Sequence, residues 1–310
     1  MTALICGSMA YDTIMVFPDK FKHHILPEKV HILNVSFLVP ELRREYGGCA
    51  GNIAYNLKQL GAAPLIMATV GKDFTPYSQW LGYCDINQDL IKVLENSYTA
   101  QAYITTDLDD NQITAFHPGA MSFSHENTVP RDRGIRLGLV SPDGKDGMVQ
   151  HADQFVEAGI PFIFDPGQGM PMFDGAELTN FVEKATWVTL NDYEAQLMQE
   201  RTGLSAEALA QRVEALIVTQ GASGSLIYTG GTVIESPPAK PHATLDPTGC
   251  GDAYRAGLVY GLLEGLEWAT TGRIASLMGA VKVETHGTQN HAFTLTAFKE
   301  RYRENFGGGF

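Results

Sequence analysis

The chain has 310 residues, of which 44% are hydrophobic and 18% charged, so it can form a buried core and is not a disordered polymer. It carries 22 Lys and Arg against 35 Asp and Glu, which gives a net charge of −13. This acidic balance argues against a nucleic-acid groove and against a polybasic membrane surface. It does not exclude a small anionic ligand, because a few amides at a helix start can bind a phosphate.

The four cysteines show no metal or disulfide pattern. They form no CxxC pair and no spaced histidine pair lies near them. The first residues are apolar but have no basic leader, and no apolar run approaches the ~18 residues of a membrane span. A few free thiols fit a reducing compartment, so we expect a cytoplasmic protein without a membrane partner.

Strand and helix patterns alternate over most of the chain. Residues 2–9 are predicted to form a buried strand, and residues 52–60 a helix that stops at Gly61. From about residue 136 onward, five apolar strands alternate with amphipathic helices. This alternation predicts a mostly parallel sheet covered on both faces.

Two strand-rich segments, at about 12–40 and 100–118, do not fit the alternation. The second reads as a hairpin, because two β-rich runs flank residues 107–112. A small β-sheet attached to one large domain accounts for both. We therefore predict one α/β domain over residues 1–310, with these two segments as a lid that closes over the substrate.

The segment 246–252, DPTGCGD, follows a loop and opens a long helix. Glycines at 249 and 251 leave the backbone amides of Gly249, Cys250 and Gly251 free to surround an anion at the helix start. Asp252 would then lie beside that anion. A carboxylate there can accept the proton of a hydroxyl that attacks a phosphate.

This segment is neither a Walker-type P-loop nor a GxGxxG turn. It resembles the signature of the ribokinase (PfkB) family of small-molecule kinases, which ends in a Gly-Ala/Cys-Gly-Asp block. The resemblance implies a ribokinase-like three-layer α/β/α sandwich with a mostly parallel central sheet and a small β-sheet lid. It also implies ATP as the phosphate donor, with Mg²⁺.

Two further blocks resemble the family's substrate side. Gly47, Gly48 and Asn52 match its Gly-Gly-x-x-x-Asn block, where paired glycines let a sugar ring lie on the backbone. Asp12 matches the family's early aspartate. A carboxylate accepts hydrogen bonds from two neighbouring hydroxyls, as a ribose 2′,3′ pair offers.

Other blocks resemble the family's nucleotide side. Asn191 and Glu194 match an Asn-x-x-Glu block that supports hydrated magnesium, and Gln168 follows a strand end that could face the phosphates. The nucleotide loop Thr-x-Gly-x-x-Gly is matched by Thr219, Gly221 and Gly224.

The family also binds a monovalent cation such as K⁺. The resemblance implies that Asp246 lies at the position of this cation. It also implies that the region of His286 and His291 provides backbone carbonyls that bind the cation. Whether this chain requires the ion stays open. Arg255, beside the predicted base, is interpreted as one half of a structural ion pair.

The substrate is inferred from the hairpin end. Phe116 and Met121 would give a flat apolar wall for a purine ring, and a bare sugar would prefer a polar lining. The stretches FHPGAM and GTQNH together resemble the prokaryotic, adenosine kinase-like branch of nucleoside kinases. We therefore expect 5′-phosphorylation of a nucleoside, with adenosine or another purine nucleoside as the acceptor.

Two alternatives remain open at this point. The first is a sugar kinase of the ribokinase or fructokinase type. The second is a catalytically inert nucleoside- or sugar-binding protein, against which the intact Asp252 and its glycines argue. The small sheet exposes apolar strands, so the expected assembly is a monomer or a homodimer formed through the lid.

Overall fold

The structure, a computed structural model, describes residues 2–25, 35–109 and 111–310. Thirteen strands lie in this part of the chain. In chain order they are β1 (Thr2–Cys6), β2 (Ala10–Val16), β3 (Glu41–Gly47), β4 (Ala63–Gly71), β5 (Asn87–Leu94), β6 (Ala100–Thr106), β7 (Gln112–His117), β8 (Ile135–Val140), β9 (Phe162–Phe164), β10 (Trp187–Asn191), β11 (Ala215–Thr219), β12 (Ser225–Thr229) and β13 (Thr232–Ser236).

Nine α-helices connect and cover these strands in the described part of the chain. They are α1 (Cys49–Gln59), α2 (Thr75–Tyr83), α3 (Lys145–Ala158), α4 (Gly175–Lys184), α5 (Asp192–Thr202), α6 (Ala206–Ala210), α7 (Cys250–Glu264), α8 (Trp268–Val283) and α9 (Leu295–Phe306). None of the described helices combines the length and the apolar character needed to cross a membrane.

The large sheet has nine strands in the order β13-β12-β11-β10-β9-β8-β1-β4-β5. The seven strands from β11 to β5 are parallel, which confirms the predicted mostly parallel sheet. At one end of the sheet, β12 runs antiparallel to β11 and β13 runs antiparallel to β12, because each follows its predecessor through a tight connection rather than a helix.

Alternate residues of β1 pack into two different hydrophobic cores, because successive side chains of a strand point to opposite faces and both faces of this sheet are buried. Ala3 and Ile5 pack with side chains of α1, α2, α7 and α8. Leu4 and Cys6 pack with side chains of α3, α4 and α5. The result is the predicted three-layer α/β/α sandwich.

A second sheet of four strands, in the order β3-β2-β6-β7, is separate from the first. Its hairpin of β6 and β7 lies within the predicted segment 100–118. The other half differs from the predicted 12–40: β2 begins at Ala10, residues 17–25 and 35–40 contain no strand, and β3 starts only at Glu41. Residues 26–34 lie outside the described part. We call this four-stranded sheet the lid sheet.

The helices that begin at the two glycine motifs start at residues with positive φ. Gly48 (φ 85°) caps α1 and Gly249 (φ 79°) caps α7, a backbone conformation that other residues rarely adopt. Helix α7 then packs closely against α8, since a Cβ on Gly257 would lie 2.6 Å from the Cα of Ala275. This packing fixes the middle of α7 against α8.

We expect Gly257→Ala to destabilise the protein by about 1–3 kcal/mol, because the backbone of α8 must move to accept the methyl group. The matched control is Gly82→Ala in α2, where a Cβ would meet only a side-chain atom at 3.9 Å. The control should stay within about 0.5 kcal/mol of wild type in urea denaturation. Equal stability of the two variants would contradict the close α7–α8 packing.

Candidate active site

Two residues 200 positions apart meet at the starts of α1 and α7. The side-chain amide of Asn52 donates to Asp252 Oδ2 at 2.8 Å. Asn52 is 4% exposed and Asp252 is half-buried, so this hydrogen bond lies largely out of water. Burial raises the pKa of Asp252 to about 6, and the bond from Asn52 opposes the rise because it favours the ionised form.

Gln289 fixes the orientation of the Asn52 amide. Its side-chain nitrogen donates to Asn52 Oδ1 at 3.0 Å and to the Tyr77 hydroxyl at 2.6 Å. Its own oxygen accepts from the Trp80 indole at 2.9 Å. With its oxygen engaged by Gln289, Asn52 can only turn its NH₂ group toward Asp252. The sequence analysis used the GTQNH segment only for its resemblance and gave Gln289 no role, because a short polar segment carries no pattern that marks it as buried.

The start of α7 offers unpaired backbone amides beside Asp252. First-turn amides have no acceptor within their own helix. The Cys250 amide nevertheless donates to the Pro247 carbonyl at 3.1 Å, so it is less available to an anion than was expected. The Cys250 thiol is half-buried, and burial raises its pKa to about 11, so it is a neutral thiol at neutral pH.

Arg255, one turn further along α7, forms a buried ion pair with Asp165. Its Nη2 lies 2.6 Å from Asp165 Oδ1, and its Nε donates to Asp165 Oδ2. The same Nη2 is 3.9 Å from Glu194 Oε2. A Cβ on Gly251 would lie 2.9 Å from Arg255 Nη1, so the guanidinium is directly beside the helix start. The geometry agrees with the predicted structural ion pair and places the guanidinium beside the start of α7.

One row of residues crosses the lid sheet on a single face. Asp12 lies opposite Glu45 on one neighbouring strand and opposite Ala102 on the other, and Ala102 lies opposite Phe116. Residues directly opposite each other point to the same face of a sheet. Asp12 and Phe116 therefore share a face, two strands apart. The Phe116 ring is 53% exposed.

Gly47 makes room for the Asp12 carboxylate, since a Cβ there would lie 2.5 Å from Asp12 Oδ2. Burial, with Glu45 and Asp246 nearby, raises the pKa of Asp12 to about 6. Asp12 also contributes to the raised pKa of Asp252, which brings the two carboxylates into one electrostatic cluster. Met121 follows the lid sheet in the 3-10 segment Gly119–Glu126, and its carbonyl oxygen lies close to Gly144, just before α3.

The predicted nucleotide-side residues lie at the carboxyl ends of parallel strands, where α/β sheets bind ligands. Asn191 and Thr219 end β10 and β11 and lie opposite each other. Gly221 and Gly224 follow in the next loop, and both have positive φ. Gln168 is exposed in a 3-10 turn after β9.

Asn191 and Glu194 form a reciprocal capping box at the start of α5, with hydrogen bonds of 2.7 and 2.8 Å. In the described part of the chain, no cluster of three or more His, Cys, Asp and Glu side chains could hold a metal ion. Glu194 Oε2 is held by the backbone amide of Asn191 within this box.

Asp246 binds protein groups through both carboxylate oxygens and through its backbone carbonyl. Its carboxylate accepts the amides of Thr248 and Gly287, each at 2.9 Å. Its backbone carbonyl accepts the Lys282 ammonium at 2.8 Å. These hydrogen bonds hold the pKa of Asp246 below its usual value. The position expected for a monovalent cation therefore has a lysine ammonium on its carbonyl oxygen, and the residues present do not fit an additional ion.

Comparison with known proteins supports the family resemblance along the whole chain. A family model described as pfkB family carbohydrate kinase matches residues 9–294. A nucleoside kinase from Methanocaldococcus jannaschii is 31% identical over 280 residues, which cover 90% of this chain and 92% of that protein.

Solved structures show the same fold. Burkholderia thailandensis nucleoside kinase in complex with inosine is 49% identical, with a TM-score of 0.90 and 99% of each chain covered. The same enzyme in complex with ADP-inosine is 50% identical, with a TM-score of 0.88 over 99% of this chain and 97% of that one. The chain described here belongs to the pfkB family of carbohydrate kinases, and it is a phosphotransferase that acts on a hydroxyl group.

Proposed function

We propose that this protein transfers the γ-phosphoryl group of ATP to the 5′-hydroxyl of a purine nucleoside. The observation that carries the proposal is the row on the lid sheet that holds Asp12 and Phe116 on one face. At about 4.8 Å per strand, the two residues are about 10 Å apart along the row. That separation suits a ligand with a diol at one end and a flat ring at the other, and a bare sugar would leave the Phe116 ring without a partner.

The relatives of this chain support a nucleoside as the substrate. The archaeal relative is a nucleoside kinase, and the Burkholderia enzyme was solved with inosine. We extend these activities to this chain as part of the proposal. Inosine and adenosine are both candidates, because nothing among the described contacts of Phe116 reads the edge of the base.

Asp252 is the proposed general base. Its pKa of about 6 leaves it ionised at neutral pH and still close enough to the working pH to accept a proton efficiently. Asn52 would hold the carboxylate in place through its hydrogen bond, and its second amide hydrogen is available to a substrate hydroxyl. Asp12, with Gly47 and Gly48 beneath it, would bind the ribose diol.

The amides of Gly249, Cys250 and Gly251 would stabilise the transferring phosphoryl group, with the larger share from Gly251 because the Cys250 amide has a protein acceptor. Asn191 and Glu194 would hold hydrated Mg²⁺, which neutralises charge on the donor phosphates. The loop that contains Thr219, Gly221 and Gly224, with Gln168 nearby on the sheet edge, would contact the nucleotide.

The lid sheet is also the proposed surface for a homodimer, should the protein not be a monomer. Its face opposite Asp12 exposes Leu42, Tyr103 and Ile113, at 64%, 42% and 44%. Leu42 and Ile113 lie in the same row across the sheet, in register with Met15 and Thr105. Such an apolar row suits contact with a second copy of the chain.

We expect Asp252→Asn to lower kcat by roughly 10²–10⁴-fold, because the amide cannot accept the proton of the attacking hydroxyl. The nucleoside Kd should change little, since the shape of the side chain is kept. The measurement is steady-state ADP release with inosine and adenosine, together with direct binding of the nucleoside.

The matched control for this variant is Asp146→Asn, which changes an exposed carboxylate in the first turn of α3, on a different helix from Asp252. It should keep the wild-type rate. A folded Asp252→Asn variant with near-normal turnover would remove Asp252 from the mechanism.

We expect Phe116→Ala to raise the KM for purine nucleosides by about 10- to 100-fold, since stacking on a base contributes about 1–3 kcal/mol. Any turnover of ribose should be unaffected. The matched control is His117→Ala, on the same strand but the opposite face and also exposed. Equal effects of the two substitutions would contradict stacking on Phe116.

We also expect 2′- and 3′-deoxyadenosine to be poor substrates, because a site built to bind a hydroxyl is left with unpaired polar groups when the hydroxyl is missing. Turnover is compared with adenosine at equal concentration, with ribose and fructose as further acceptors. Faster turnover of a free sugar than of any nucleoside would favour a sugar kinase and reject the nucleoside proposal.

A further inference from the structure

A fully buried lysine lies behind the start of α7. Lys282, in the last turn of α8, is 0% exposed. Its ammonium donates to the carbonyl of Asp246 at 2.8 Å and to the carbonyl of Thr285 at 3.0 Å. Lysine is almost never fully buried without partners, since the loss of water around its charge must be offset by hydrogen bonds. The proposed catalytic steps above do not use this group.

The two carbonyls belong to the two loops that build the site. The loop at residues 246–249 leads directly into α7. The loop after α8 carries Gly287, whose amide binds Asp246, and then Gln289, which orients Asn52. Thr288, which lies between Gly287 and Gln289 in the chain, donates to the carbonyl of Tyr46 on the lid sheet. Lys282 therefore ties the loop before the anion site to the loop that holds the amide of Asn52.

The positive charge of Lys282 also lies close to the proposed phosphoryl position. A Cβ on Gly249 would be 3.6 Å from Lys282 Cε. The charge counteracts the effect of burial on the pKa of the neighbouring Cys250. A cation in this place adds to the positive end of the α7 dipole, where an anionic phosphoryl group would bind.

The Lys282 ammonium resembles a bound monovalent cation in three respects. It carries one positive charge, its partners are backbone carbonyl oxygens, and it joins two loops. The family resemblance predicts a K⁺ ion near Asp246 and the residues that follow α8. A second cation at the same carbonyls would lie within a few ångströms of the ammonium and be repelled by it.

We propose that the Lys282 ammonium is a built-in monovalent cation, which takes the place of a dissolved ion and makes the kinase reaction independent of K⁺. The proposal rests on catalysis at the Asp252 site, but it does not depend on which acceptor is used. Lys282 is a positioning residue, since it acts through the two loops and their charge rather than by contact with substrate.

The first experiment uses the wild-type protein. ADP release is measured at constant ionic strength in choline chloride, NaCl, KCl and NH₄Cl, with whichever of inosine or ribose is turned over. We expect kcat to agree across the four salts within about two-fold, a small effect that leaves the phosphoryl-transfer barrier almost unchanged. Activation by K⁺ of about ten-fold or more over choline would overturn the proposal.

The second experiment replaces the ammonium. Lys282→Met keeps most of the side-chain volume but removes the charge and both hydrogen bonds. We expect kcat in choline to fall by at least about 10-fold, less than the roughly 10²–10³-fold that a donor in direct contact with the transition state contributes, because Lys282 acts through the two loops. NH₄⁺ or K⁺ should then restore it with saturation, and the same ions should raise the melting temperature of the variant but not of wild type.

The matched control is Lys58→Met, which removes a lysine from the last turn of α1 where it forms an exposed ion pair with Asp85. It should keep wild-type activity and gain no dependence on cations. A folded Lys282→Met variant that keeps wild-type turnover in choline, or that no monovalent cation restores, would overturn the proposal. If that variant does not fold, the wild-type salt series decides alone.

The two proposals fail in different ways. If the protein turns over ribose but no nucleoside, the proposed substrate is wrong, and the salt series measured with ribose still tests the role of Lys282. A nucleoside kinase that needs K⁺ rejects the role of Lys282 and leaves the substrate assignment intact.

Discussion

The site depends on one hydrogen bond, from the Asn52 amide to the Asp252 carboxylate. A carboxylate removed from water would take up a proton unless donors stabilise its charge, and a protonated Asp252 could not act as a base. The bond from Asn52 therefore keeps the group usable near neutral pH. It also fixes the start of α1 relative to the start of α7, so the substrate-side and phosphate-side motifs form one site although 200 residues separate them.

Negative charge at this site must be balanced, because Asp12, Asp165, Asp246 and Asp252 lie close to one another and phosphate adds more. Two buried cations on different elements provide the balance. Arg255 pairs with Asp165 beside the start of α7, and Lys282 binds the loop that leads into the same helix. In the proposed mechanism, these two side chains would support the α7 amides in binding the phosphoryl group.

Much of this arrangement could be predicted from the sequence, because glycine motifs and strand–helix alternation are local patterns. The GG and GCGD motifs marked the starts of α1 and α7 correctly. The strand β3 was not predicted, since ELRREYG is mostly charged and exposed and shows no apolar alternation. Gln289 and Lys282 were missed for a different reason: their partners lie 237 and 36 residues away, and only the tertiary fold brings them together.

The dependence of kcat/KM on pH tests the role of the Asn52–Asp252 bond most directly. Burial raises the pKa of Asp252 to about 6 and the base must be ionised, so wild-type kcat/KM should be level above that pH and fall below it. Asn52→Leu removes the donor that favours the ionised form, so its acidic limb should move to higher pH. Asp12→Asn removes a neighbouring negative charge, and its limb should move to lower pH. An acidic limb that stays in place, or moves down, in Asn52→Leu would contradict the account.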